Sequence, residues 1–290
     1  MTTTDHLADE QRLRPRFAVL SAVAGALLIA AAIVQLAGPH TSINELTIDL
    51  IIAHKRYPLD VIGSVVNAFG LISFALSVGF LWVCTQARRN GMSASSRIST
   101  LVGGGLAAVS GIVYAVVIAA KADKFVTTGT QTYEEAHHLT NGPGLLALPL
   151  LGQAAALMLA IGVFFVALNA MRVGLLTRFM GYLGLFVGAL VIFPIGSPVP
   201  VVQGFWLFAL GVLFAGRWPS GTPAAWATGR AEAWPSSQEL REQRAGKGAA
   251  TAKPARTRPA RGAAAAEPVP EAPVAQTRAN TPKRKRKKRR

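Results

Sequence analysis

Apolar residues in this chain come as long runs, with no two-residue alternation and no single helical stripe. Six stretches, roughly 17–37, 61–85, 98–120, 145–169, 179–195 and 201–215, contain no charged side chain. At ~1.5 Å rise per residue, ~20 helical residues cover the ~30 Å hydrocarbon core of a bilayer. The first four runs meet that length and the last two are short. Lipid offers no hydrogen bond to a bare backbone, so runs of this kind must be helical. The pattern predicts an all-α, polytopic membrane protein: a six-helix transmembrane bundle over 17–216. A cytoplasmic segment (1–16) precedes it, an interfacial Trp/Pro segment (217–235) follows, and a disordered polybasic tail (236–290) closes the chain.

Two of the connections are long and carry helix signals. Ser42-Ile43-Asn44-Glu45 fits a capping box, with Ser42 as N-cap and Glu45 reaching back. The helix that follows places Ile43, Leu46, Leu50 and Ile51 on one stripe and should stop at Pro58. Thr132-Tyr133-Glu134-Glu135 repeats the cap, and Asn141-Gly142-Pro143 supplies a stop. Both read as short helices near the outer interface, packed over the bundle or simply bracing their loops. Within the spans, Gly63, Gly70, Phe74 and Ser77, then Gly103 to Gly105, then Gly181, Gly184 and Gly188, recur at intervals that let helix backbones approach. Pro149 and Pro194 are candidate kinks.

Charge changes the picture once it is divided. The net +16 is +3 over residues 1–216 and +13 over residues 217–290, so the basic balance belongs to the tail. Basic residues near the span ends set the orientation. Arg12, Arg14, Arg16, Arg88, Arg89, Arg97, Arg172 and Arg178 fall on one side, against Lys55, Arg56, Lys121 and Lys124 on the other. Both termini are therefore expected in the cytoplasm of a cell with a plasma membrane. The first apolar run exceeds the ~7–15 residues of a signal peptide and reads as an uncleaved anchor. Cys84 is the only cysteine, so no intramolecular disulfide or thiolate cluster forms, and a buried thiol is expected.

Candidate chemistry is sparse. No Asp, Glu, Lys, Arg or His lies within a predicted span, which disfavours ion-coupled transport and voltage sensing. No HExxH, GxSxG, Walker or GxGxxG motif occurs. Three amides in the spans, Asn67, Gln153 and Gln203, are candidates for lining a path for a neutral solute, or for bridging neighbouring helices. Glu134, Glu135 and His138 share a helical face three and four residues apart and form a candidate metal site, which His40 and His54 can extend. A solvated polar helix explains the same residues. Nothing else calls for a cofactor.

The tail is poor in large apolar residues and cannot offset the entropy of ordering. It ends in Lys283, Arg284, Lys285, Arg286, Lys287, Lys288, Arg289 and Arg290. Beside an anionic leaflet such a run gains ~1 kcal/mol per charge, and it also suits nonspecific nucleic-acid binding or a role in topology and solubility alone.

Arg178-Phe179-Met180-Gly181-Tyr182-Leu183-Gly184, Val202-Gln203-Gly204-Phe205-Trp206 and Gly216-Arg217-Trp218-Pro219 resemble uncharacterised six-span membrane proteins of high-GC Gram-positive (actinobacterial) bacteria. The resemblance covers roughly residues 15–236 and implies six spans in a bacterial plasma membrane, with no activity to carry over. The reading is a noncatalytic scaffold or interaction protein whose tail holds anionic lipid or a cytoplasmic polyanion, its protein partners unnamed by the sequence. A permease or channel-like protein for a small neutral solute, and a membrane metalloenzyme, are the alternatives.

Overall fold

A computed structural model describes residues 3–39, 45–89, 91–192, 200–219 and 221–232; the tail lies outside them. Nine helices occur among these residues: α1 (Thr3–Leu36), α2 (Leu46–Arg56), α3 (Leu59–Arg88), α4 (Ala94–Thr127), α5 (Tyr133–Thr140), α6 (Pro143–Arg172), α7 (Arg178–Ile192), α8 (Val201–Phe214) and α9 (Ala225–Thr228). The all-α expectation holds among the described residues.

Four helices are long and apolar enough to cross a membrane: Leu7–Leu36, Leu59–Arg88, Ala94–Thr127 and Gly144–Arg172. That is compatible with an integral membrane protein. The lengths of α7 and α8 are 15 and 14 residues, or about 22 and 21 Å. They fall short of the ~30 Å core.

Small residues set the packing order. Gly70 lies under Leu28 and joins α3 to α1. The three consecutive glycines of α4 divide their work. A Cβ on Gly103 would come 2.5 Å from the backbone nitrogen of Leu159 on α6, and one on Gly104 would come 2.6 Å from Ala75 on α3. Gly105 faces open space. Gly181, Gly184 and Gly188 put α7 against Met171, Ala167 and Ala160 of α6. Gly204 and Gly211 seat α8 antiparallel on Ile29, Gly25 and Ala18 of α1. Close backbone approach of this kind drives helix association where lipid removes the usual apolar incentive.

These contacts also fix depth. Ile29 is met by Gly204 near the start of α8, yet α1 continues about two turns further, to Leu36. The short helices therefore fill the end of the bundle that carries Arg12, Arg88, Arg172 and Arg178, here called the basic end. Its core is dense, with Phe74, Leu81, Val163, Trp206, Leu210 and Phe214 at most 1 % exposed. Phe17 stacks on Phe80 at 4.2 Å, and Phe80 meets Phe214 edge-on at 5.3 Å.

At the opposite, far end, α2 and α5 pack on α4 through a second cluster of Leu50, Ala122, Phe125, Ala136 and Leu139. The stripe expected on α2 is the buried one, since Leu46 and Ile51 pack beside Leu50. The capping box expected there is corrected in part. Ser42 and Ile43 lie outside the described residues, and Glu45 itself occupies the N-cap position with no side-chain cap. On α5 half of the expected box forms, with Thr132 Oγ1 accepting from the Glu135 N–H at 3.4 Å, while the Glu135 carboxylate reaches back past the N-cap to the Thr130 and Gln131 N–H groups.

Candidate functional site

The far end holds a cavity of about 600 Å³ between α1, α2, α3 and α4. Helical spacing builds it. Asp60, Ser64 and Asn67 share one stripe of α3, Asp49 and Arg56 one stripe of α2, and Gly111, Tyr114 and Ile118 one stripe of α4. Gly111 has nothing within 4 Å of where its Cβ would stand, so the wall there remains open.

Arg56 organises the rim. Its side chain is 9 % exposed and pairs with Asp60 across the Tyr57–Pro58 break between α2 and α3, with Nε donating to Oδ1 at 2.8 Å. Nη2 donates to the Gln35 carbonyl at 2.6 Å and Nη1 to the Pro39 carbonyl at 3.4 Å. One guanidinium thus ties together the end of α1, the end of α2 and the start of α3. Below it, Ser64 Oγ donates to the Val61 carbonyl at 2.8 Å. No hydrogen bond to the Asn67 amide is formed among the described residues. The arrangement offers carboxylate, amide and phenol groups facing a space the size of a small molecule, so what it can do is bind.

The basic end is closed by buried charge. Arg88 makes a two-pronged pair with Glu10, Nη1 to Oε1 and Nη2 to Oε2, both at 2.7 Å. Their side chains are 1 % and 8 % exposed. Arg88 Nη1 also donates to the Cys84 carbonyl at 2.7 Å, and Nε donates to the Ala225 carbonyl at 3.0 Å. That last bond holds α9, whose Trp226 donates Nε1–H to the Leu175 carbonyl at 2.9 Å. The Arg14 and Arg88 guanidinium groups lie 4.5 and 5.4 Å from the Trp226 ring centre. Glu232 N–H reaches the Val173 carbonyl at 3.1 Å. Residues 217–235, read as an interfacial segment, are in their described part a docked strap with a buried tryptophan. Cys84 is buried, as expected.

The three amides are not brought together. Asn67 lines the far-end cavity, whereas Gln153 is exposed on α6 and Gln203 half-buried on α8, and neither lines that cavity. The acidic and histidine residues are brought together only in part. Glu135 spends its carboxylate on the loop before α5, accepting from the Thr130 N–H at 2.6 Å and the Gln131 N–H at 3.0 Å. Glu134 and His138 line a separate polar cavity with Lys121 and Lys124. His54 pairs with Asp123 at 3.5 Å, and His40 lies outside the described residues. Among the described residues, no group of three or more His, Cys, Asp or Glu side chains is placed to hold a metal ion.

Sequence reasoning missed the Glu10–Arg88 pair because both residues lie beyond the charge-free runs and 78 positions apart. The Arg56–Asp60 pair is four positions apart but bridges the α2–α3 break at Tyr57–Pro58, so helical spacing gave no signal for it. No family model, curated protein or solved structure matches this chain.

Proposed function

We propose that the chain is a noncatalytic, multi-pass protein of the plasma membrane, a six-helix bundle with both termini in the cytoplasm. Its work is to hold a polybasic tail at the inner face, where residues 283–290 engage anionic lipid headgroups. The observation that supports this best is the docked strap. Trp226, the Arg88 bond to Ala225 and the Glu232 bond to Val173 root the chain against the basic end as far as residue 232, four positions before the tail segment begins in the sequence. Tethering keeps eight cations beside the leaflet, each worth ~1 kcal/mol near an anionic surface. A polyanion such as nucleic acid competes for the same charges.

The test uses the protein in nanodiscs of neutral lipid, mixed with anionic or neutral vesicles, with the full chain or a variant lacking residues 283–290. Co-flotation should occur only for the full chain with anionic vesicles and should fade with salt. Equal flotation in all four arms would refute the lipid role.

A second reading, passage of a small neutral solute, draws support from the far-end cavity and Asn67. That passage requires opening the dense basic-end core and the Glu10–Arg88 closure. Solute-dependent swelling of proteoliposomes that Asn67→Leu abolishes would favour it.

A further inference from the structure

Two cavities at the far end adjoin along one line of residues and differ sharply in chemistry. The first, about 870 Å³, lies between α4 and the start of α6 and is lined by Val117, Leu145, Leu148 and Leu151. The second, about 790 Å³, is polar and lined by Lys124, Tyr133, Glu134, His137 and His138. Lys121 and Gly142 border both. An oily slot that opens into a cationic one through a shared lysine has the polarity sequence of a lipid, with acyl chain below and headgroup above.

We propose that this pair of cavities is a binding site for an anionic phospholipid of the leaflet at the far end. The inference rests on the reading that the bundle is embedded in a bilayer, but it is independent of the tail. Three observations carry it. The first is dimension. The apolar slot follows the chain from Gly142, the N-cap of α6, to Leu151, nine residue steps, or about 13 Å at ~1.5 Å each. One leaflet of a ~30 Å core is about 15 Å deep.

The second is charge. Lys121 is half-buried at the junction and Lys124 exposed above it, and neither forms an ion pair among the described residues. Among the described residues Glu134 is the one carboxylate lining the polar slot, against Lys121 and Lys124, so with histidines counted as neutral that lining is net positive. A phosphate supplies the counter-charge that the half-buried lysine lacks. The third is room. Gly142 and Gly144 have nothing within 4 Å of a built Cβ, so the start of α6 leaves space where a headgroup would sit. Gly142 offers no capping side chain there. Its open first turn adds weakly to the attraction for an anion.

The experiment places the full chain in phosphatidylcholine nanodiscs doped with a photoreactive-acyl phosphatidylglycerol or the matching phosphatidylcholine, and maps crosslinks by peptide mass spectrometry. Over residues 142–151 the wild-type chain should label with the anionic lipid in preference to the zwitterionic one. The preference should be about fivefold for each lysine, the equivalent of ~1 kcal/mol. Lys121→Gln with Lys124→Gln should erase it, while Lys121→Arg with Lys124→Arg should retain it. Ala147→Trp, at an exposed position on the slot wall, should reduce labelling by either lipid. Equal labelling by the two lipids in wild type, or an undiminished preference in the double Gln variant, would overturn the proposal. Failure of the membrane reading itself would show separately, as a chain extracted from membranes by alkaline carbonate without detergent.

Discussion

The closure between Glu10 and Arg88 makes a sharp energetic prediction. Glu10→Gln leaves the Arg88 charge buried with the Cys84 and Ala225 carbonyls and the Trp226 ring as its remaining partners, and Arg88→Met strips the Glu10 carboxylate of both guanidinium bonds. Removing one partner of a buried pair costs about 3–5 kcal/mol, because the orphaned charge stays out of water. Removing both charges at once avoids that penalty. The double variant loses the Arg88 bonds to the Cys84 and Ala225 carbonyls, at about 0.5–1.5 kcal/mol each, while the Ala225 carbonyl keeps the Gly229 N–H at 3.2 Å. Two singles summing to about 6–10 kcal/mol against a double of about 1–3 imply a coupling of at least ~3 kcal/mol, at the top of the range for contacting residues. Reversible unfolding in mixed detergent micelles, followed by far-UV circular dichroism, measures all three variants against the parent. The strap supplies a second readout. Arg88→Met should speed proteolysis within residues 219–232 and shift the Trp226 emission to the red, whereas Glu10→Gln should do so less, since the Ala225 bond survives. Additive single and double values, with coupling below 0.5 kcal/mol, would refute the account.

Other predictions follow from the packing and the far-end cavity. Gly103→Ala should destabilise by about 1–3 kcal/mol, because its methyl would stand 2.5 Å from the Leu159 nitrogen, while Gly105→Ala should be neutral or gain up to ~1 kcal/mol in helix propensity. The same unfolding assay reads both, and equal effects would contradict the assigned neighbours. With Cys84 buried as a silent background, Asn67→Cys should react with a small water-soluble thiol reagent and Gln153→Cys should not, since the first lines the polar cavity and the second, exposed midway along an apolar helix, faces lipid when the bundle is embedded. Equal labelling rates would count against the cavity.

How much of this was legible beforehand varies residue by residue. The runs that became α1, α3, α4 and α6 were readable because a bilayer imposes one length and one polarity on any helix that crosses it. The Thr132 cap was readable because its partners are three residues apart. Gly103, Gly104 and Gly105 were recognisable as packing residues, but not their division between α6, α3 and open space. A helix surface shows which positions are small and not which neighbour each one meets. The amides illustrate the same limit: Asn67, Gln153 and Gln203 are alike as letters, and only the rotation of each helix sends one to a cavity and another to an exposed face.

Local composition determined the helical class, the membrane-compatible lengths and the basic tail, since each depends on residues adjacent in the chain. Tertiary structure alone decided the closure at one end and the cavities at the other. Glu10, Arg88 and Trp226, or Lys121 and Leu148, become neighbours through helix packing, and the free energy of burying a charge or opening a slot belongs to that arrangement.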